Sequence, residues 1–134
     1  MNKTKKKNRK KVDTVKSVNN SIRTSVRKLN PILKSIVGKK VDVAMRDLQF
    51  SAKRISKDIR KTLNSAVANA ENNFQYDIDN LFVKEAYVGK SIVLKRFRAR
   101  AKGRASGIKK PYTNITIILA EKKIKEKEIH GTKS

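Results

Sequence analysis

The segment KSIVLKRFRARAKGRASGIKK, residues 90–110, contains nine basic side chains, two glycines and no acidic side chain. Cations spaced this closely repel one another, so they need a matching density of negative charge around them. The phosphate backbone of a nucleic acid is the commonest polymer that supplies it. Arginine adds bidentate contacts to phosphate and stacking on bases, whereas lysine acts as a point charge. The segment therefore predicts nucleic-acid binding.

The cations predicted to contact nucleic acid fall in this basic segment and in one helical stretch. Within the segment, Gly103 lacks a side chain and lets backbone N–H groups approach phosphate closely. The helical stretch carries five cations with only Asp58 among them, so we expect contact there, with an ordinary solvated face as the alternative. The predicted contacts from both parts are Lys53, Arg54, Lys57, Lys95, Arg96, Arg98, Arg100, Lys102, Gly103, Arg104, Lys109 and Lys110.

Residue types that carry catalysis or hold metals are few in this chain. It has no cysteine, which excludes disulfides and thiolate zinc sites. Asp77 and Asp79 are spaced like a metal-binding pair, but in a polar loop such residues far more often form turns. His130 is the only histidine and lies in a charged tail. Without a Ser–His–Asp set, paired carboxylates or a glycine-rich nucleotide loop, we predict no enzyme, no metal and no cofactor.

Composition indicates one small domain with tails. The 134 residues include 35 Lys and Arg against 11 Asp and Glu, giving a net charge of +24. Leu, Ile, Val and Phe together make up 35 residues, above the roughly 20 per cent below which a highly charged chain is disordered. No apolar run approaches the roughly 18 residues of a membrane helix, so we predict no membrane partner.

Helical periodicity appears in three stretches after a basic start. Residues 1–20 are predicted to be a basic N-terminal arm that nucleic acid orders. The first helix spans Ile22–Val37, although Asn30 and Pro31 fit an N-cap and a first helical position and offer a later start. The second runs from Asp42, as N-cap, to Gln49. The third covers Ala52–Asn72 and is capped by Ser51.

The remaining chain predicts β-structure. A strand at Leu81–Val88 precedes two longer strands, Ser91–Lys102 and Ile108–Ala120, which face each other across Gly103–Gly107. The distal half of this pair has no apolar alternation to pack on a core, so it must project from the domain. There Phe97 either stacks on an unpaired base or contacts a neighbour across the hairpin. The predicted fold class is α+β, with three helices packed on a small antiparallel sheet and a long projecting β-hairpin.

Four stretches are specific in order as well as composition: LNSAVANAENN, NLFVKEAYVGKS, LKRFRARAKGRA and NITIILAEK. They closely resemble the universal large-subunit ribosomal protein family twenty-two in its bacterial form, over about residues 21–122. The resemblance implies a globular domain at the ribosomal surface and a hairpin that runs through the rRNA to the nascent-peptide exit tunnel. The chain departs from the family pattern at Val26, Pro31, Ala99, Gly107 and Asn114.

The resemblance also assigns roles to individual positions. Arg27 and Lys28 match the family's basic pair at the first helix and join the predicted RNA contacts. Six positions match cations and a glycine that line the tunnel, namely Lys95, Arg96, Arg100, Lys102, Gly103 and Arg104. The implied partners are 23S-type rRNA, neighbouring large-subunit proteins and, transiently, the nascent peptide. The implied location is the ribosome of the cytoplasm, with an organellar ribosome as the alternative.

The predicted organisation is thus an arm at 1–20, an rRNA-binding domain at 21–122 with the extended hairpin at 90–113, and a charged tail at 123–134. A free-standing nucleic-acid chaperone or nucleoid-type binder is the alternative function. Such a protein would share the charge of this chain but not the KRFRARAKGRA hairpin. A cationic membrane-surface protein is disfavoured, because the cations alternate with alanine and glycine and lack a large apolar face.

Overall fold

The computed structural model describes residues 14–122, and the predicted tail at 123–134 and most of the predicted arm lie outside that range. Three strands and three helices make up the described part. The elements in chain order are β1 (Thr14–Ile22), α1 (Val26–Ile36), α2 (Val41–Phe50), α3 (Ser56–Phe74), β2 (Leu81–Ala99) and β3 (Ala105–Glu121). Short 3₁₀ turns at Ile78–Asn80 and Ala101–Gly103 precede β2 and β3. The α+β class and the long hairpin are confirmed.

The sheet is antiparallel, with strand order β1-β3-β2. β3 lies at the centre and pairs with both other strands. It pairs with β1 from Thr14 opposite Ala120 to Ile22 opposite Thr113. It pairs with β2 along its whole length, from Leu81 opposite Glu121 to Ala99 opposite Ala105. The β2–β3 hairpin therefore extends well past the end of β1.

β1 corrects the prediction that regular structure begins only after residue 20. Along this strand Val15 and Ser17 are buried while Lys16 and Val18 are exposed, which is the period-two pattern of a half-buried strand. The apolar alternation of this strand is not visible in the sequence, because the inward residue Ser17 is polar and the outward residue Val18 is apolar. Near its end, Ser21 adopts a φ of 60° and its N–H donates to the Asn114 side chain over 3.0 Å. This irregularity shifts the register before Ile22 pairs.

The β2 and β3 boundaries also differ from the prediction. Leu81–Val88 and the first hairpin strand are one continuous strand, in which a register shift between Lys90 and Val93 takes the place of the expected break. The turn lies three residues earlier than expected: β2 ends at Ala99 and β3 begins at Ala105, where the sequence predicted Lys102 and Ile108. The second predicted turn glycine, Gly107, therefore lies inside β3.

Helix boundaries shift by a few residues for identifiable reasons. α1 begins at Val26 and continues through Pro31, so the later start is wrong. Proline removes one helical N–H, but burial of the apolar face of α1 outweighs that loss. The residues that form this face are Leu29, Ile32, Leu33 and Ile36.

The N-caps of α2 and α3 also differ. Lys40 takes the N-cap position of α2, so Asp42 falls in the first turn, where its charge suits the helix dipole. α3 begins at Ser56, and its last residues extend to Phe74. Ser51 does not cap it directly. The Ser51 hydroxyl instead accepts a hydrogen bond from the Ser56 hydroxyl over 2.8 Å, which stabilises the turn before the helix.

One hydrophobic core lies between the helices and the sheet. α3 packs across β1 and β3, α1 packs on β2, and α2 packs on α3. The small residues Ala66 and Ala70 of α3 are fully buried, which allows this helix to approach the sheet closely. Opposite it, β3 contributes three fully buried side chains, Ile115, Ile117 and Leu119. None of the described helices is both long and apolar enough to span a membrane.

Candidate nucleic-acid interface

The hairpin leaves the globular domain at Thr113. This residue is the last buried one in β3 towards the tip, and it is also where β1 ends. On the partner strand the register shift between Lys90 and Val93 marks the same level. Beyond it the nine residues 91–99 of β2 extend the ribbon by about 30 Å at ~3.3 Å per residue. All residues from Lys95 to Lys110 are exposed.

Strand alternation sorts the side chains of the projecting ribbon onto two faces. We call the first the arginine face; it carries Leu94, Arg96 and Arg98 with their partners Lys110, Ile108 and Ser106. We call the other the Phe97 face; it carries Val93, Lys95, Phe97 and Ala99 with their partners Pro111, Lys109, Gly107 and Ala105. Directly paired residues point to the same side of an antiparallel ribbon, so the register fixes this division. Basic side chains occur on both faces.

Two neighbouring residues predicted to line the same surface are separated by this division. Lys95 lies on the Phe97 face and Arg96 on the arginine face. The Arg96 guanidinium donates to the Lys95 carbonyl over 2.8 Å, which holds the guanidinium close to the backbone. One flat surface can therefore contact only one of the two.

The tip is a turn of the five residues 100–104, which connects β2 and β3. The Arg100 N–H donates to the Arg104 carbonyl over 2.7 Å and closes the turn. Lys102 and Gly103 adopt left-handed φ values of 60° and 67°. Glycine accepts this conformation without strain, and open space surrounds its Cα. The backbone at Gly103 is thus open to solvent.

Four predicted contacts on the globular domain come together in one cavity, which we call the basic cleft. Arg27 and Lys28 of α1 line it with Lys53 and Arg54 from the loop before α3. Its volume is about 710 Å³. The Arg54 guanidinium donates to the Arg23 carbonyl over 3.2 Å, and this bond ties the loop to the end of β1. Lys57 is exposed on the first turn of α3 and does not line the cleft.

The basic cleft lies at the end of the sheet from which the hairpin projects. β1 runs towards the hairpin and ends opposite Thr113, and the cleft residues Thr24 and Ser25 follow directly. The N-termini of α1 and α3 are at this end, so their backbone dipoles add positive potential. Sequence reasoning missed Thr24 and Ser25. The signal was available, because Ser25 precedes the apolar period of α1 as an N-cap residue.

Carboxylates are concentrated at the opposite end of the domain. Glu71, Asp77 and Asp79 line a cavity there, and Glu121 pairs with Leu81 beside it. Within residues 14–122 a single ion pair forms, between Lys39 and Asp47 at 2.6 Å, and it involves none of the predicted contacts. Among the described residues, the cations of the hairpin and cleft therefore form no ion pair inside the protein.

Other chemistry is sparse across the described residues. No three His, Asp or Glu side chains within 14–122 are placed to hold a metal ion. The Tyr87 hydroxyl donates a hydrogen bond to the Glu85 carboxylate, and this bond raises the pKa of Tyr87 above its usual value.

Comparison with known proteins shows which family this chain resembles. The family model of ribosomal protein L22p/L17e matches residues 17–120, which include nearly all of the sheet and the entire hairpin. The chain is 74% identical over 134 residues to the large ribosomal subunit protein uL22 of Pelagibacter ubique (strain HTCC1062), with 100% of both chains covered. The chain belongs to the ribosomal protein L22p/L17e family. The resemblance seen in the four sequence stretches is confirmed.

More distant members of the L22p/L17e family match the same region. The uL22 protein of Phenylobacterium zucineum (strain HLK1) is 57% identical over 101 residues, covering 75% of this chain and 80% of the relative. That of Sinorhizobium medicae (strain WSM419) is 52% identical over 121 residues, covering 90% and 94%. Membership in this family of ribosomal proteins does not favour a free-standing chaperone or nucleoid-type protein.

Proposed function

We propose that this chain is a structural constituent of the large ribosomal subunit that binds 23S-type rRNA and aids subunit assembly. The observation that carries the proposal is the hairpin beyond Thr113, which is exposed on both faces, rich in cations and without internal ion pairs. A two-stranded ribbon of this kind is only marginally stable in water. Folded RNA around the ribbon would supply the missing contacts.

Binding would be driven mainly by phosphate contacts. Each cation that neutralises a phosphate releases condensed counterions, so affinity falls steeply with salt. Contacts of this type position the protein but carry little base information. Specificity would come from the shape of the folded rRNA that accepts a ribbon about 30 Å long. The left-handed backbone at Gly103 adds a place where phosphate can approach the main chain directly.

The basic cleft would supply a second anchor. Arg27, Lys28, Lys53 and Arg54 lie at the hairpin end of the domain, so one RNA surface can contact both the cleft and the ribbon. The carboxylates at the opposite end repel phosphate and would face neighbouring proteins or solvent. Two anchors on one face fix the orientation of the globular domain and thereby the direction in which the hairpin points.

The hairpin tip is proposed to line the nascent-peptide exit tunnel and to meet the nascent peptide transiently. Arg100, Lys102, Gly103 and Arg104 form the turn and are its most distal residues. Lys95 and Arg96 point to opposite faces, so one of them would face the tunnel and the other the rRNA. The role is structural rather than catalytic, and the site of action would be the ribosome of a bacterial cytoplasm.

Co-sedimentation tests the ribosomal assignment. The tagged full-length chain is expressed in a bacterium, and ribosomes are pelleted through a high-salt cushion and separated into subunits. We expect the chain in the large-subunit fraction. As a matched comparison, a variant with glutamine at positions 96, 98, 100 and 104 should show lower occupancy. Recovery of the parent chain with DNA, or its loss from large subunits at high salt, would contradict the proposal.

A short deletion tests the tunnel assignment separately. Removing Leu94–Arg96 shortens the ribbon and displaces the tip, while the basic cleft still anchors the domain. We expect normal occupancy in large subunits together with altered macrolide sensitivity or nascent-chain stalling. The control is a double variant, Lys95→Gln with Arg96→Gln, which removes the same charges at unchanged length. Normal occupancy with unchanged drug response and stalling would refute the tunnel role and spare rRNA binding.

A further inference from the structure

Phe97 is the most exposed of the large hydrophobic residues between positions 14 and 122, with 80% of its surface accessible. It is the seventh of the nine β2 residues, 91–99, that form the projecting ribbon, and it lies on the Phe97 face. The residue directly opposite is Gly107, which has no side chain to cover the ring. Gly107 therefore offers no side chain for the direct cross-strand contact considered from the sequence. The only ring pair in the described range joins Phe74 and Tyr76, so Phe97 has no aromatic neighbour either.

The surroundings of the ring are open on one side and cationic on the other. Towards the tip the next pair is Ala99 and Ala105, whose small side chains do not rise above the ring. Towards the base the next pair is Lys95 and Lys109. The space over Gly107 is also empty, because a Cβ placed there would meet no heavy atom within 4 Å. The face thus offers a bare aromatic ring beside two ammonium groups.

This combination matches the requirements of single-stranded nucleic-acid recognition. Aromatic side chains stack unpaired bases, and adjacent cations hold the backbone that carries them. A phenyl ring that is exposed to water contributes no free energy of burial. A base stacked on the ring would remove apolar surface of both the ring and the base from water, which is favourable. A polypeptide partner would fit less well, because the two lysines beside the ring would then lose water without acquiring phosphate oxygens.

We propose that Phe97 and Gly107 form a stacking platform for one unpaired rRNA base, with Lys95 and Lys109 contacting phosphates next to that base. The proposal rests on the rRNA-binding function above and adds a base contact to it. It also assigns a direction to the ribbon. The Phe97 face is turned towards RNA that presents an extruded base, so Lys95 contacts RNA and Arg96, on the opposite face, is the one available to the tunnel.

Affinity measurements on the full-length chain test the platform. The probe is 23S rRNA purified from protein-stripped bacterial large subunits. Stacking of one base is worth ~5- to 150-fold in affinity when the aromatic residue is replaced by alanine. We expect Phe97→Ala to weaken binding by a factor in that range, Phe97→Leu to weaken it nearly as much, and Phe97→Tyr to retain the parental affinity. The salt dependence should not change, because no charge is removed.

Fluorescence gives a second readout that does not depend on affinity. The chain contains no tryptophan, so Phe97→Trp introduces a single reporter. We expect its emission to be quenched on rRNA binding, since the indole would stack on a base. Phe74→Trp is the matched control, because Phe74 is exposed at the end of the domain that carries Glu71 and Asp77. Its emission should stay close to that of the free protein.

The outcomes separate the platform from the proposed function. If the parent binds with a steep salt dependence but Phe97→Ala and Phe97→Leu bind equally well and Phe97→Trp is not quenched, the platform is refuted and rRNA binding stands. If only Phe97→Ala weakens binding while Phe97→Leu does not, the ring contributes apolar packing rather than stacking, which also refutes the platform. If the parent itself shows no salt-dependent binding, the proposed function fails.

Discussion

The two halves of β3 differ more than any other two regions of the molecule, although they form one uninterrupted strand. From Thr113 to Ala120 the strand has neighbours on both edges, and Thr113, Ile115, Ile117 and Leu119 are buried. From Ala105 to Lys110 it has one neighbour, and every residue is exposed. The first half is completed by other parts of the same chain. The second half needs another molecule to complete it.

The boundary between the halves coincides with three local features. β1 ends at Ile22 opposite Thr113, and β2 shifts register between Lys90 and Val93. The apolar alternation of β3 stops at the same level. Pairing between β3 and β2 continues across the boundary, whereas pairing between β3 and β1 stops there. The solvent-excluding layer also changes: helices supply it on one side of the boundary and, under our proposal, rRNA supplies it on the other.

The largest expected contrast is in amide exchange of the free protein. Amides of Thr113–Ala120 should exchange only on global unfolding, whereas those of Arg96–Ser106 should exchange almost as fast as in an unfolded chain. For a domain stability of ~5 kcal/mol this is a difference of roughly 10³- to 10⁴-fold. Hydrogen exchange followed by NMR without RNA measures it. Slow exchange at Arg100–Ser106 would show that the hairpin is stable alone.

Two isoleucines in the same strand give the next contrast. Ile117→Ala removes a fully buried side chain and should lower the free energy of unfolding by about 2–5 kcal/mol. Ile108→Ala is the matched control in the exposed half, and its effect should stay within about 0.5 kcal/mol. Urea unfolding followed by circular dichroism measures both. Similar losses for the two variants would mean that the distal ribbon packs in the free protein.

Removing single cations should produce a smaller and purely electrostatic effect. Arg100→Ala or Arg104→Ala should reduce the slope of log affinity for 23S rRNA against log salt by up to about one unit each. Arg46→Ala is the control, because Arg46 lies in α2 beside Asp42 and Glu71, away from the hairpin. Filter binding at several salt concentrations gives the slopes. An equal reduction for Arg46→Ala would argue against a localised interface.

The smallest effect is expected at the one ion pair within residues 14–122. The Lys39 and Asp47 side chains are both about two-fifths exposed, so Asp47→Asn should change the free energy of unfolding by at most about 1 kcal/mol. The change should become smaller as salt is added. Thermal unfolding at low and high salt tests this. A loss of several kcal/mol would show that internal charge pairing matters more to this domain than burial does.

Sequence reasoning succeeded where one physical signal dominated. The lack of apolar alternation in the distal half of the hairpin predicted that it projects from the domain, and the three- and four-residue apolar spacing predicted the helices. It failed at β1, where an inward Ser17 breaks the apolar pattern that identifies a strand, and at α1, where packing of Leu29 and Leu33 outweighs Pro31. These outcomes depend on tertiary contacts that no local pattern contains.

The candidate interface was predictable in composition but not in arrangement. The cations of the hairpin could be named from the sequence, yet their division into two faces depends on the strand register, and that register changed because the turn lies three residues earlier than predicted. Gly107 illustrates the difference. As a turn residue it would have no neighbour on the ribbon, whereas as a strand residue it lies opposite Phe97 and leaves that ring open. The basic cleft could not be predicted either, because it combines segments that are far apart in sequence. The hydrogen bond from Arg54 to the Arg23 carbonyl joins two such segments.

The projecting ribbon has a consequence for the protein before it meets RNA. Both of its edges present unpaired backbone groups, and Ile92, Val93, Phe97 and Ile108 are exposed on it. Long exposed edges with apolar side chains are templates for pairing between identical chains and hence for aggregation. Here backbone pairing between the ribbons of two copies would bring the cations of one ribbon close to those of the other. The same charge that attracts the partner thus keeps newly made copies apart, and added salt, by screening that repulsion, should promote their self-association.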